Sequence, residues 1–245
     1  VTWARPRVPV KGRTYRSAVA APASVEDGGA LIHAQIEGRS FVELRVPDGP
    51  PVWLAIDLDE DCADEELRGL TDAAERMVRR VSWRGARVLL RAIAESEPTS
   101  LADAPRTFAL LRAWVAKGSK ASADQKLRTL LGEVPAWRTV QGGRTSLADA
   151  AGGSGDLRVG AWEGHWLEPD EGERRSALDA PVIALPAEEE KRAALRELLG
   201  ALWGKGSTRD VGGALAKLQS KRRVARGIER RPAVIAPPDP RFCVP

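Results

Sequence analysis

Residues 133–162 read EVPAWRTVQGGRTSLADAAGGSGDLRVGAW, and the order of signals in them is the strongest constraint on what this chain can fold into. Residues 136–140 form one short strand, and Gly142-Gly143 is a turn. Ser146, with Asp149 three residues on, caps a short helix. A glycine-rich loop then leads into a second strand over 157–162. The run is a folding signature without a catalytic motif. Before it lie strands and then helices; after it come one more strand, two helices and a basic tail.

Taken from the start, residues 1–28 are rich in Pro, Arg and Ala with little periodicity, and read as a basic arm with at most one edge strand. ALIHAQIE (30–37) and SFVELRV (40–46) flank Gly38-Arg39, a two-residue hairpin signal. PVWLAIDL (51–58) follows the turn Asp48-Gly49-Pro50 and places Val52, Leu54, Ile56 and Leu58 on one face. An antiparallel meander is expected. At Asp64 the period changes to three and four: Leu67, Leu70, Ala74, Met77, Val78 and Val81, then Leu89, Leu90 and Ile93 beyond a kink at Gly85, with Pro98 as the stop. Ser100, with Asp103, is expected to cap a helix reaching residue 115, with Phe108, Leu111 and Val115 inward. The hexamer TSLADA occurs at both 99–104 and 145–150 and marks two helix starts. A short helix carries Leu127, Leu130 and Leu131 to Gly132. PVIALP (181–186) is a strand, 187–202 a helix, and 208–228 the last helix.

The fold class is therefore α+β. Residues 29–120 are an N-terminal antiparallel strand meander with helices, and 121–231 a small mixed α/β module with a basic final helix. The boundary falls near 118–122, and residues 232–245 are a Pro-rich tail.

Apolar residues make up 43% and charged residues 29% of the chain, the balance of a soluble globular protein. No run of about eighteen apolar residues occurs, so no membrane span is expected. The first twenty residues carry Arg5, Arg7, Lys11, Arg13 and Arg16 without an apolar core, unlike a secretory signal. Cys62 and Cys243 are too few for a disulfide or metal framework. A reducing cytoplasm is the expected setting, and no cofactor is expected.

Charge is uneven around a net of +4. Lys217, Lys221, Arg222, Arg223, Arg226, Arg230 and Arg231 face a single Glu229, and Arg222, Arg226 and Arg230 recur at four-residue steps as a cationic ridge suited to phosphates or an acidic partner. Asp57, Asp59 and Asp61 end an apolar strand, where carboxylates can hold a divalent ion, but a solvated strand end and the dipole of the next helix are the favoured account of them. Haloacid-dehalogenase-type phosphotransferases open with an Asp in such a place, but Glu60 and Asp61 break their pattern. GALWGKGST (200–208) fails as a phosphate loop, with one residue too few and Gly206 where a hydroxyl is required. His33 and His165 have no nucleophile elbow near them in sequence.

The run LLGEVPAWRTVQGGRTSLADAAG, then PVIALP, a Leu-rich helix, Asp210 with a helix and an Arg-rich exit into proline resembles the C-terminal accessory regions of some bacterial proteins that carry a heat-shock-chaperone-like ATPase domain of the gyrase/histidine-kinase superfamily. Pro135, Gly143, Ser146 and Leu147 carry the likeness most sharply. The superfamily's Asn-bearing helix and Asp-x-Gly-x-Gly loop are missing, so the resemblance implies a non-catalytic part that positions partners. The leading expectation is a protein-interaction module, a scaffold, adaptor or subunit of a larger assembly. A nucleic-acid-associated protein using 217–231 is the alternative, and a metal-dependent phosphotransfer enzyme at Asp57 and Asp59 the second.

Overall fold

The N-terminal hairpin turns on Glu37 and Gly38, both with positive φ (51° and 76°), because Ile36 pairs with Arg39 across it. That is the primed two-residue turn whose twist matches the flanking strands, one residue earlier than expected. The computed structural model describes residues 3–4, 7–10, 13–21, 29–66, 68–118, 122–152, 155–162, 165–169, 180–204 and 208–227.

Six strands form the first sheet: β1 (Trp3–Ala4), β2 (Arg7–Val10), β3 (Arg13–Ala20), β4 (Ala30–Ile36), β5 (Arg39–Val46) and β6 (Trp53–Leu58). Their order is β1-β3-β6-β4-β5, with β2 paired to β3. Two expectations are corrected here. The stretch 1–28 holds three strands where an arm with one edge strand was expected. And β6 does not extend a meander; it inserts between β3, antiparallel, and β4, parallel. Burial explains the choice. Leu54, Ile56 and Leu58 are almost wholly enclosed, as a central strand requires, whereas β5 buries only Val46 and suits an edge.

α1 (Asp72–Ser96) lies across this sheet, with Val78, Val81, Leu89 and Ile93 in the common core. Thr71 caps it, its Oγ1 accepting from the Ala74 N–H at 3.2 Å. The helix starts eight residues later than the periodicity indicated. Between lie a 3-10 turn (Glu60–Cys62), a bridge between Ala63 and Leu70, and Asp64 Oδ1 accepting from the Arg68 N–H at 2.8 Å. Leu67 lies outside the described residues. The helix runs unbroken through Gly85, which serves packing: a Cβ there would stand 3.2 Å from Val19 Cγ2.

The helix expected from Ser100 is two helices, α2 (Ser100–Asp103) and α3 (Pro105–Ala116). Pro105 has no N–H to continue a helix but suits the first turn of a new one. α4 (Ser122–Glu133) leads to the hairpin of β7 (Trp137–Arg138) and β8 (Arg144–Thr145), then α5 (Leu147–Ala151), capped by Ser146 Oγ on the Asp149 N–H at 3.0 Å. β9 (Leu157–Gly160), β10 (Ile183–Ala184) and β11 (Thr208–Asp210) form a parallel sheet in the order β10-β9-β11, and a Thr139–Ile183 bridge joins the hairpin to it. Residues 208–210, expected to be helical, are thus strand. Asp210 then pairs with Arg196 of α6 (Glu189–Trp203) and accepts from the Gly212 N–H at 2.8 Å, starting α7 (Gly212–Ala225). One buried cluster runs from Tyr15 to Leu202 through both sheets' helices. No helix among the described residues is long and apolar enough to cross a membrane.

Candidate functional site

Two of the basic residues in and just after α7, Arg222 and Arg226, serve the protein's own backbone. Arg222 is 1% exposed; its Nη1 donates to the Leu167 carbonyl at 2.8 Å, and its guanidinium sits 5.3 Å from the Trp166 ring centroid. Gln219, fully buried, grips the same residue from both sides: Leu167 N–H donates to Oε1 at 2.8 Å and Nε2 donates to the Leu167 carbonyl at 3.1 Å. Arg223 lies 5.8 Å over Trp162, and Arg226 donates to the Glu168 carbonyl. Lys217 and Lys221 are exposed, and Arg230 and Arg231 lie outside the described residues. The four-residue row expected to be one solvent-facing ridge therefore splits. Arg222 is core, and Arg226 holds a loop.

The acidic strand end is likewise engaged locally. Asp57 Oδ1 accepts from the Gly38 N–H at 2.9 Å, tying β6 to the hairpin turn of the neighbouring strands. Asp59 and Asp61 are exposed beside the 3-10 turn, where burial and the Asp61 charge push the Cys62 thiol up from its usual range. Among the described residues no group of three His, Cys, Asp or Glu side chains comes together as a metal-ligand cluster. His33 faces Glu43 across β4 and β5 at 3.5 Å. His165 is exposed between Trp162 and Trp166, whose rings meet edge to face at 6.2 Å. Gly204 ends α6 in the left-handed conformation, as a helix C-terminus.

A groove with an apolar floor and a charged rim lies elsewhere. α2 and α3 on one side and α6 on the other enclose a groove of about 600 Å³ over β7 and β10. Phe108, Trp137, Ile183, Leu185 and Leu195 give it an apolar floor, and Arg112, Arg138, Lys191 and Asp103 supply its charges. Asp103 is the pivot. Arg138 grips it bidentately, Nε on Oδ1 and Nη2 on Oδ2, both at 3.1 Å, and Arg144 Nη2 donates to Oδ2 as well. Arg144 also donates to the Ala136 carbonyl at 2.5 Å, so one carboxylate fastens α2 to the β7–β8 hairpin. The Arg138 hydrogen bonds, with Arg144 behind them, hold the Asp103 carboxyl below its ordinary range. Lys191 pairs with Glu188 at 2.6 Å, whereas Arg112 is exposed and has no ion-pair partner among the described residues. Trp137 is 2% exposed, and its indole N–H has no acceptor there.

Asp103→Asn should lower the thermal midpoint by about 2–4 °C at neutral pH, the size expected for losing a half-exposed ion-pair network. A carboxyl with a depressed folded pKa stabilises above its unfolded pKa and loses that contribution as pH falls through the folded value. The gap between variant and wild type in a melting series should therefore close on acidification below the ordinary Asp range. A gap that is independent of pH would assign Asp103 a neutral packing role.

None of Arg112, Arg138, Lys191 or Trp137 stood out in the sequence, because they converge from two helices and a hairpin. Asp103 did, but as a capping residue. Compared with known proteins, the chain matches no family model and no curated protein.

Proposed function

We propose that this chain is a non-catalytic protein-interaction module, an adaptor or subunit of a larger assembly, and that it receives a partner segment in the groove between α3 and α6. The groove itself carries the reading: an apolar floor with an aromatic anchor, inside a rim holding three cations against one carboxylate. That carboxylate is already held by Arg138 and Arg144. The complementary occupant is a peptide segment with a large apolar side chain flanked by Asp or Glu. Its apolar group would be desolvated on Phe108 and Leu195, and its carboxylates would meet Arg112 and Lys191.

Panning a random peptide display library against the folded chain tests this. Enriched sequences should combine an apolar anchor with acidic neighbours. Arg112→Glu/Lys191→Glu, both at exposed positions, should weaken those peptides at least tenfold by fluorescence anisotropy while leaving the melting curve in place. No enrichment, or peptides that bind the double variant as tightly as wild type, would remove the groove from the protein's function.

A further inference from the structure

The continuous arginine row that α7 does not present to solvent is found on α1. Residues 76–91, RMVRRVSWRGARVLLR, contain Arg76, Arg79, Arg80, Arg84, Arg87 and Arg91 and no Asp or Glu. At 100° per residue, Arg76, Arg80, Arg84, Arg87 and Arg91 fall within an arc of about 80°, a stripe about 22 Å long. Arg76 and Arg80 are exposed and make no ion pair among the described residues. Arg87 is 3.4 Å from Asp124, and Arg91 3.3 Å from Glu95.

Midway along, the stripe borders a cleft of about 210 Å³ where α1 meets the end of α3 and the start of α4. Arg80, Arg84, Arg87 and Lys117 line it against the single carboxylate of Asp124. Burial, with Arg87 close by, holds the Lys117 ammonium below the usual lysine range, partly offset by Asp124. An anion in the cleft would relieve that crowding.

We infer that this face of α1 binds the phosphate backbone of nucleic acid, with the Arg80–Lys117 cleft as its deepest phosphate seat. Three features favour that ligand over an acidic protein. The stripe is guanidinium, which matches phosphate bidentately. It is linear, following a repeated charge. And it offers no apolar anchor: Lys117 sits over the Trp83 ring at 4.2 Å, and Trp114 is 4% exposed beneath Arg128. A protein interface without an anchor has little to hold it. With Lys117 over the half-buried Trp83 ring and Trp114 buried, no row of open aromatic faces follows the stripe, so recognition is of backbone, independent of sequence.

The test is anisotropy of a fluorescein-labelled 20-bp DNA duplex titrated with the full chain between 50 and 200 mM salt. Four phosphates neutralised would give a slope of log K against log salt of about −3 to −4. Arg76→Glu/Arg80→Glu, at exposed positions, should weaken binding at least tenfold. Lys117→Gln should flatten the slope by about one, and a Lys217→Glu/Lys221→Glu variant on α7 should stay within about threefold of wild type. Melting curves check that each variant is folded. The inference is overturned if wild type fails to bind at 50 mM salt, or if the α1 variant binds like wild type. It is also overturned if polyglutamate of equal charge displaces the duplex at equal concentration, which would make the face a dock for acidic protein. The groove variant Arg112→Glu/Lys191→Glu should retain duplex binding, so the two sites stand or fall separately.

Discussion

Arg222→Glu is expected to destabilise the protein by about 3–5 kcal/mol, whereas Lys221→Glu, one residue earlier, should change stability by no more than about 0.5 kcal/mol. The two lie side by side in sequence and carry the same charge, but Lys221 is exposed and Arg222 is 1% exposed. Reversal at 222 would bury a carboxylate against the Leu167 carbonyl, where the guanidinium now donates at 2.8 Å. It would also replace the cation over Trp166 with an anion facing the ring's negative face. Arg222→Met keeps the length and apolar stem and removes the donor; Gln219 Nε2 still reaches the Leu167 carbonyl, so about 1–3 kcal/mol should be lost. Urea unfolding followed by tryptophan fluorescence measures all three. Equal stability for Arg222→Glu and Lys221→Glu would put the 222 side chain in solvent and restore the α7 ridge. The expected result has a practical consequence: loss of binding on reversing Arg222 would report unfolding rather than a lost phosphate contact, so nucleic-acid tests belong on Arg76 and Arg80.

What was legible in the sequence follows from how local each signal is. The two copies of TSLADA show the limit. At 145–150 Ser146 caps α5 through the Asp149 N–H, as read. At 99–104 the aspartate of the same six residues, Asp103, is taken by Arg138 and Arg144 about forty positions away, while Pro105 stops the helix after one turn. Local chemistry proposed the same cap twice, and tertiary charge overrode one of them. The α+β class and the periodicity of α1 were readable because each rests on a repeat within a single segment. The place of β6 was not, since it depends on which strand the core most needs to enclose. Nor was the row of arginines at 217–231 readable as split between core and surface, because α7 is too mixed for its apolar face to orient it. The α1 stripe was readable in principle. Its signal is sixteen consecutive residues without a carboxylate, overshadowed by the apolar positions between the arginines.

The crossing that puts β6 between β3 and β4 sets the second large effect. The chain must leave β5 at Val46 and pass the start of β4 to enter β6 at Trp53, which pairs with both Leu31 and Ala20. Gly29 and Gly49 are where the two segments touch. A Cβ on Gly29 would overlap the Val46 carbonyl oxygen and come within 2.8 Å of Pro47 Cα, and one on Gly49 would come within 2.9 Å of Ala30 Cβ. Gly29 also has φ of +85°, a conformation that disfavours any side chain. Gly29→Ala should therefore cost about 3–5 kcal/mol, combining about 1–2 for the left-handed backbone with displacement of atoms that cannot swing away. Gly38→Ala is the internal control: its φ is +76°, but nothing lies within 4 Å of its Cβ position, so only the conformational part, about 1–2 kcal/mol, should be lost. Equilibrium unfolding of the pair isolates the steric part by difference. Equal losses would mean that the 47–52 connection does not press on β4, and that β6 reaches its central place by some other path. A larger loss for Gly29→Ala than for Gly38→Ala would fix the crossing as the step by which an apolar strand, arriving third in the sheet's second half, is admitted to its centre.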